Sequence, residues 1–329
     1  MSEETGVDHL EREIADLEDR LRDARRRRDA AAGQQDGNPS FNNGMCIQTI
    51  ERISSNESTT SLTARIPERI GDPGPIHSLL LLADSALPLG SFAYSSGLES
   101  YLQHDKNSQR SRHTPSVTTT AFDRFLRLSV AAVASTNLPY VLAAHRDPES
   151  VETLDNDLDA STPCMVAQRA STAQGRALLG VWERSFRRNY AVAGCTNAGT
   201  RPAAAARAIE EFSASLKSNI GSMDELGPKG HLAPLWGVVC LAMGVNVHQT
   251  CYVFMLNHAK AVLSAAVRAS AMGPYQAQSA LASSALRNMI VERLEQEWHT
   301  DVHNAGQAVP VIDLWVGRHE LLYSRIFNS

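Results

Sequence analysis

The sequence predicts an all-α protein: a single helical-bundle domain of about ten helices over residues 76–329, preceded by a flexible N-terminal extension over residues 1–75. Apolar residues recur at helical spacing along most of the chain, and no period-two runs of β-branched residues compete with them. Hydrophobic residues make up 43% of the 329 residues, enough for a sizeable core. Both observations favour a globular helical protein.

Charge and cysteine content narrow the classes of function. The formal net charge is −5, whereas nucleic-acid-binding proteins usually carry a basic patch, so we expect no nucleic-acid partner. The five cysteines show no C-x-x-C spacing, and the acidic, polar N-terminus does not resemble a secretory signal. We therefore expect a cytoplasmic protein with reduced thiols and no membrane partner.

The extension carries one short helical pattern. Leu10, Ile14, Leu17 and Leu21 fall at the alternating spacing of a coiled-coil seam, among dense charged residues. The pattern covers barely two heptads, and isolated helices of that length are marginal in water. Residues 33–74 are rich in Asn, Ser, Thr, Gly and Pro, a composition typical of a linker. The extension is therefore predicted to be largely disordered, with a short charged helix.

A helix followed by a tight elbow opens the domain. The apolar run at 79–83 is too short to cross a bilayer and suits a buried helix, which Asp84 should end. Pro88 lacks an N–H group and Gly90 supplies conformations with φ > 0, so a non-helical turn should follow.

The next helix has a recognisable N-terminal signature. Ser96 and Glu99 have the spacing of a capping box, in which the Ser96 hydroxyl accepts from the Glu99 N–H and the carboxylate returns to the Ser96 N–H. Phe92 and Tyr94 should be presented on the elbow, with Tyr101 beside it.

Helical patterns continue through the middle of the chain. One helix should begin near Ser116 and change direction at Pro139, and the acidic stretch 147–162 should be loosely helical. Pro163 suits the first position of the next helix, in which small residues form a stripe that faces the core. The residues of this stripe are Val166, Ala170, Ala173, Ala177 and Val181.

Residues 189–202 and 218–230 are predicted loops on either side of a short alanine-rich helix. A helix at 231–243 should follow, ended by a glycine. Residues 247–269 are apolar nearly all round, which places their helix at the centre of the bundle or at a subunit interface. Within it, His258 is either a hydrogen-bonded core histidine or a polar group at an interface or along a buried channel.

The C-terminal part should hold a long amphipathic helix after Gly273 and a last helix after Pro310. Between them, His299 and His303 stand at i,i+4. On a helix they would share a face and could chelate a divalent cation, but their polar, surface-like segment favours solvated side chains.

The familiar catalytic motifs are missing from the sequence. It contains no G-x-x-x-x-G-K-[ST] and no G-x-G-x-x-G, so we predict no nucleotide cofactor. His319 and Glu320 begin an H-E-x-x-H pattern, but Tyr323 stands where the second zinc-binding histidine should be. We therefore predict no catalytic, cofactor-binding or metal residue.

Four sequence blocks resemble the UreF family of urease accessory proteins. The strongest is D-S-A-L-P-L-G-S-F-A-Y-S-S-G-L-E, starting at Asp84, and a second is R-H-E-L-L-Y-S-R-I-F-N-S, starting at Arg318. Q-R-A-S-T-A-Q-G-R-A-L-L and G-P-Y-Q-A-Q lie between them. The resemblance runs from His77 to the last residue, with Tyr94 standing where the family more often has histidine.

The resemblance implies a fold, partners and a role. UreF-family proteins are all-α and dimeric, and they bind the scaffold protein UreD (also called UreH) and the nickel-carrying GTPase UreG. The assembly docks on apo-urease and inserts nickel, and the UreF subunit modulates GTP hydrolysis without being a GTPase itself. The same homodimer and the same partners are therefore expected for this chain.

Unusual residue types concentrate at the elbow and in the last twelve residues. Arg318 and Arg325 are predicted to lie on one side of the last helix, and arginine is enriched in interface cores. Tyr323 and Phe327 are aromatic side chains of the kind that form binding hot spots. Alternatively, these side chains only fix the last helix to the bundle.

We predict that the elbow and the C-terminal tail form one partner-docking surface. Its predicted residues are Asp84, Pro88, Gly90, Phe92, Tyr94, Ser95, Gly97, Glu99, Tyr101, Arg318, His319, Glu320, Tyr323, Arg325 and Phe327. The rival hypothesis is an all-α enzyme that uses Asp84, Tyr94 and Glu99 as acid–base groups, which requires the three to converge in a pocket.

Overall fold

A computed structural model describes residues 74–108, 115–194, 199–219 and 227–329, and these residues form helices and connecting loops without a β-strand. The predicted all-α fold is confirmed. The predictions for the extension, including its short helix and linker, lie outside the described residues apart from Gly74 and Pro75, which open the first helix.

Twelve α-helical segments can be followed within these ranges. They are α1 (Gly74–Ala83), α2 (Leu98–Ser108), α3 (Pro115–Arg146), α4 (Val151–Ser161), α5 (Met165–Val181), α6 (Arg187–Gly194), α7 (Arg201–Asn219), α8 (Leu232–Ala242), α9 (Val247–Arg268), α10 (Pro274–Ala282), α11 (Ser284–Glu297) and α12 (Pro310–Arg318). A π turn joins α5 to α6, and 3₁₀ turns lie at Ser91–Ala93, Pro148–Ser150, Val302–Asn304 and His319–Leu321.

The core is built around α8, which packs against α3, α5, α7 and α9. All of its residues from Ala233 onwards are buried. The approach to α3 is close, since a Cβ on Gly237 would lie 2.5 Å from the Val141 carbonyl oxygen. Within α3, residues 121–146 are long and apolar enough to cross a membrane, but 72% of that apolar window is buried inside the bundle. We therefore assign α3 as a core helix.

Helix α9 is largely but not wholly buried. Phe254, Met255 and Val262 are among its buried residues, whereas Ser264 and Arg268 are exposed. Ser264 and Arg268 are one turn apart and lie on the same side of the helix, and His248 in its first turn is also exposed. The predicted central position is confirmed, because most residues of this helix are buried or half-buried.

The acidic stretch after α3 is better ordered than predicted. Its helix α4 contains Asp155, which is fully buried and accepts hydrogen bonds from the backbone N–H groups of Lys229 (2.6 Å), Gly230 (3.0 Å) and His231 (2.5 Å). A carboxylate that satisfies three buried N–H groups stabilises this helix in a way that local composition does not reveal. In addition, α3 continues through Pro139 as one helix.

The predicted stripe on α5 is wrong. The buried residues are Val166, Gly175, Leu178 and Leu179, whereas Ala173 is exposed. The helix turns Gly175 toward the loop before α8, where a Cβ would lie 2.2 Å from the Gly230 carbonyl oxygen. Close backbone approach, rather than the alanine spacing, sets the buried face. Helix α5 also begins two residues later than predicted, after Pro163.

Further boundaries differ from the predictions. Helix α6 extends through Gly194 and α7 begins at Arg201, both inside the predicted 189–202 loop, and the long C-terminal helix is divided at Ser283. Ser283 is extended (φ −69°, ψ 142°), and its hydroxyl accepts from the Leu286 N–H at 3.1 Å. Serine thus caps a new helix at a position where a periodic pattern alone predicts continuation.

The two candidate metal-binding histidines do not share a helix. His299 follows the end of α11, and His303 lies in a 3₁₀ turn, where its N–H donates to Asp301 Oδ1 at 2.9 Å. Asp301 therefore starts a separate turn. No group of three or more metal-ligating side chains occurs in the part of the chain that the structure describes.

Candidate partner-docking site

The chain turns between α1 and α2 as predicted, but the elbow is not wholly non-helical, because it contains the 3₁₀ turn at Ser91–Ala93. The terminal carbonyls of α1, at Leu82 and Ala83, accept hydrogen bonds from Asn257 (3.0 Å) and Lys260 of α9. Exposed Asp84 turns the chain, since its Oδ1 accepts from the Ala86 N–H at 2.9 Å. After exposed Pro88, Gly90 adopts φ +71° and leads into the 3₁₀ turn. Contacts at both ends thus fix the elbow.

The predicted capping box is wrong. Ser96 adopts φ +54°, and the hydroxyl that accepts from the Glu99 N–H is that of Ser95, at 3.3 Å. The Glu99 carboxylate points away from Ser96 and accepts from the N–H groups of Ile326 (2.8 Å) and Phe327 (3.2 Å) in the C-terminal tail. The Glu99 side chain therefore anchors the C-terminal tail and does not cap the N-terminus of its own helix.

His319 completes this buried contact. Its Nε2 lies 2.9 Å from the Phe327 carbonyl oxygen and must carry a proton, because a carbonyl only accepts. Its Nδ1 lies 3.7 Å from Glu99 Oε2, and the His319 and Glu99 side chains are 0% and 5% exposed. The two side chains enclose the tail backbone between α2 and the end of α12.

Backbone hydrogen bonds extend the attachment to the last two residues. The Ser95 N–H donates to the Ser329 carbonyl at 2.9 Å, and its hydroxyl donates to the same oxygen. The Asn328 N–H donates to the Ala93 carbonyl at 2.7 Å. The elbow and the tail, predicted from sequence to lie together, are thus in direct contact; we call residues 84–101 with residues 319–329 the elbow–tail surface.

Helix α12 packs directly on the start of α2. Gly97 has φ +85°, and a Cβ there would lie 2.8 Å from the Val316 backbone nitrogen. The Ser100 hydroxyl donates to the Trp315 carbonyl, and the Tyr101 ring stands edge-on to Trp315 with centroids 5.5 Å apart. Tyr101 is therefore half-buried between helices rather than projecting freely.

Arg268, at the end of α9, joins the elbow to the tail. Its guanidinium donates to the Phe92 carbonyl and lies 4.4 Å from the Phe327 ring centre and 6.0 Å from the Phe92 ring centre. Phe327 is buried, whereas the Phe92 ring is 67% exposed. Partial burial lowers the pKa of Arg268, but arginine retains its charge and a cation–π contact with Phe327.

The outer side of the tail is exposed. Glu320 accepts from Arg169 of α5 and, at 2.9 Å, from Arg325, and these two arginines hold the pKa of the Glu320 carboxyl below its usual range. The Tyr323 side chain is fully exposed. Arg318 and Arg325 do not share a helix face, because α12 ends at Arg318, which lies 5.8 Å from the Trp315 ring centre.

A cavity of about 340 Å³ lies behind the elbow, between α3, α5, α9 and α12. His258 lines it and hydrogen bonds to Ser129 at 2.9 Å, and burial lowers the pKa of His258 to about 4, so the ring is neutral near pH 7. Asp84 and half-buried Tyr94 also line the cavity, but Glu99 does not. The three groups required by the enzyme hypothesis therefore do not converge.

Several residues that contact the elbow–tail surface were missed from sequence. Arg169 and Gln174, whose Oε1 accepts from the Ser91 hydroxyl at 2.8 Å, both lie in the Q-R-A-S-T-A-Q block. The resemblance of that block to the UreF family indicated that its residues matter, although the pattern does not indicate which of them face the elbow. Arg268 and Trp315 carried no such signal.

The described residues define a helical-bundle protein whose C-terminal tail is anchored to the elbow and has exposed outer side chains. Comparison with known proteins gives its family. The UreF family model matches residues 117–285. A relative from Schizosaccharomyces pombe, described as an uncharacterized urease accessory protein UreF-like, is 36% identical over 253 residues, covering 77% of this chain and 97% of the relative. The chain belongs to the UreF family of urease accessory proteins.

Two further relatives are also described as urease accessory proteins. Urease accessory protein 6 of Cryptococcus neoformans is 28% identical and covers 77% of this chain and 97% of its own length. Urease accessory protein F of Oryza sativa is 29% identical over 260 residues, covering 75% of this chain and 82% of the relative. The role of the chain described here is thus that of a urease accessory protein.

Proposed function

We propose that this chain is the subunit of a cytoplasmic nickel-insertion complex that recruits the nickel-carrying GTPase and the scaffold protein to apo-urease. One observation supports it most: the backbone of the tail is fixed by the buried Glu99 and His319, while its outer side chains face solvent. Such an arrangement fits a preformed docking surface, because a partner then meets side chains whose backbone is already ordered.

The composition of the elbow–tail surface supports docking. Exposed residues there include Phe92, Tyr323 and Ile326, together with Arg325. Aromatic and arginine side chains dominate the residues whose removal weakens protein interfaces. In this proposal the chain modulates GTP hydrolysis by its partner and hydrolyses no nucleotide itself, which agrees with the missing phosphate-binding motif.

Replacing Arg325 with alanine should abolish partner capture while leaving the melting temperature almost unchanged. Arg325 is 43% exposed in the free chain, so its loss disturbs no core packing. At a desolvated interface the same change should weaken binding by roughly 2 kcal/mol or more, about thirtyfold. Co-purification of the scaffold protein and the GTPase, with stimulation of GTP hydrolysis, tests this.

The control is Arg287→Ala, which removes an exposed arginine from α11. Wild-type capture by Arg325→Ala, and by a chain truncated before Tyr323, would contradict docking at the tail. Loss of capture together with a lowered melting temperature would instead indicate that the tail only fixes the last helix to the bundle.

We further propose that a second copy of the chain covers α1, making the subunit a homodimer. Ile76 and Leu80, one turn apart, are 61% and 64% exposed, opposite the face that buries Leu82. Leu79, on the same helix, lines a groove of about 620 Å³ between α1, α9 and α11. Its apolar lining includes Leu79, Tyr252, Val253, Val291, Leu294 and Trp298.

Replacing Leu80 with glutamate should convert the dimer to a folded monomer. The new carboxylate would be exposed in the free chain but unpaired in the dimer, at a cost of several kcal/mol per buried charge. Sedimentation velocity measures the effect, with Tyr275→Glu, at another exposed position (90%), as the control. A Leu80→Glu chain that remains dimeric would exclude this face.

A further inference from the structure

Two arginines, one in the tail and one in the neighbouring helix α5, share the carboxylate of Glu320. Glu320 Oε1 accepts from the guanidinium of Arg169, and Glu320 Oε2 accepts from that of Arg325. The two arginines come from different elements, α5 and the tail, and meet only at this carboxylate. All three side chains are accessible, with exposed fractions of 59%, 39% and 43% for Arg169, Glu320 and Arg325.

The surroundings have an excess of positive charge and of apolar surface. Arg318, also exposed, precedes this cluster at the end of α12. Leu321 is 80% exposed, Tyr323 fully exposed and Ile326 62% exposed. A complementary molecule would therefore combine acidic groups with apolar contacts, which is the composition of a protein surface.

We propose that Arg169 and Arg325 form a receptor for a carboxylate of the partner protein, and that Glu320 occupies this receptor in the free chain as an internal stand-in. This inference rests on the proposed docking function and specifies the chemistry of the partner. The arginine fork matches carboxylate geometry, and the group already bound there is a carboxylate. Apolar neighbours favour an acidic protein over a nucleic acid.

The exchange requires little rearrangement. Exposed ion pairs are weak, so Glu320 can move into solvent when a partner carboxylate enters. A glutamate carboxyl is ionised at neutral pH, so Glu320 competes as a carboxylate under the conditions of docking. Because the backbone is fixed by Glu99 and His319, the exchange involves side chains alone.

The test compares the affinity of the full-length chain for the purified scaffold–GTPase complex, by calorimetry at low and high salt. Glu320→Gln should tighten binding about threefold, because it removes the competing charge. Arg169→Ala should weaken it about tenfold. In the Arg169→Ala background, Glu320→Gln should give a smaller gain than in the wild-type chain, because Glu320 then competes for Arg325 alone. Glu292→Gln, at an exposed acid on α11, serves as the control.

The possible results separate this inference from the proposed function. Unchanged or weaker binding by Glu320→Gln, with Arg325→Ala still defective, overturns the receptor and leaves docking at the tail intact. Wild-type affinity in Arg325→Ala, or no binding by the wild-type chain, overturns both. Binding of an RNA duplex that Glu320→Gln strengthens more than partner binding would replace the acidic protein with a nucleic acid.

Discussion

Replacing Glu99 with alanine is expected to detach the C-terminal tail, lower the free energy of unfolding by about 2–4 kcal/mol and abolish partner capture. The Glu99 carboxylate is the acceptor for the N–H groups of Ile326 and Phe327, and an N–H group that loses its partner in a buried site costs about 1–3 kcal/mol. His319 also loses the carboxylate that lies 3.7 Å from its Nδ1.

Urea denaturation measures the stability change, and limited proteolysis reports on the tail. Glu99→Gln should be intermediate, because its amide oxygen can still accept one N–H group while its NH₂ group faces the other N–H. Glu292→Ala, at an exposed position of α11, should change stability by about 0.5 kcal/mol or less. A Glu99→Ala chain with a protease-resistant tail and normal capture would disprove the anchoring role.

The Glu99 contact also illustrates the limit of prediction from sequence. The capping-box rule assigns the carboxylate a partner three residues away, and the residue types fit that rule. In the structure, the carboxylate instead accepts hydrogen bonds from the N–H groups of Ile326 and Phe327, which lie 227 and 228 residues further along the chain. A rule based on neighbouring residues cannot predict these distant hydrogen-bond donors, because their position depends on the tertiary fold of the whole bundle.

Features determined by local chemistry were predicted well. Gly90 adopts the positive φ expected of it, a glycine follows the end of α8, and α12 begins at Pro310. Glycine and proline restrict the backbone directly, so their effects require no knowledge of the neighbours. The joining of elbow and tail was also anticipated, from the concentration of unusual residues at both places.

Features determined by packing were predicted less well. Ala173 belongs to a regular small-residue stripe but faces solvent, because the contact of Gly175 with the loop before α8 fixes the rotation of α5. Arg268 is an ordinary basic residue at the end of a helix by sequence, yet it contacts both Phe92 and Phe327. Helix rotation and long-range contacts are properties of the assembled core.

Replacing Gly97 with alanine is expected to displace α12 and lower the free energy of unfolding by about 2–5 kcal/mol. Two costs add at this position. At φ +85° an alanine pays about 1–2 kcal/mol for the left-handed backbone conformation. Its Cβ would also lie 2.8 Å from the Val316 nitrogen and 3.0 Å from the Trp315 carbonyl carbon, and overpacking of this kind costs about 1–3 kcal/mol.

Gly90→Ala separates the two costs. Gly90 has a similar backbone angle, φ +71°, but a Cβ there would meet nothing within 4 Å, so only the conformational cost of about 1–2 kcal/mol applies. Urea denaturation of both variants, followed by circular dichroism, gives the difference. Because α12 carries the tail, Gly97→Ala should also lose partner capture, whereas Gly90→Ala should retain more of it. Equal destabilisation by the two substitutions would show that α12 moves away from Gly97 at no cost, and the proposed rigidity of the elbow–tail surface would then be wrong.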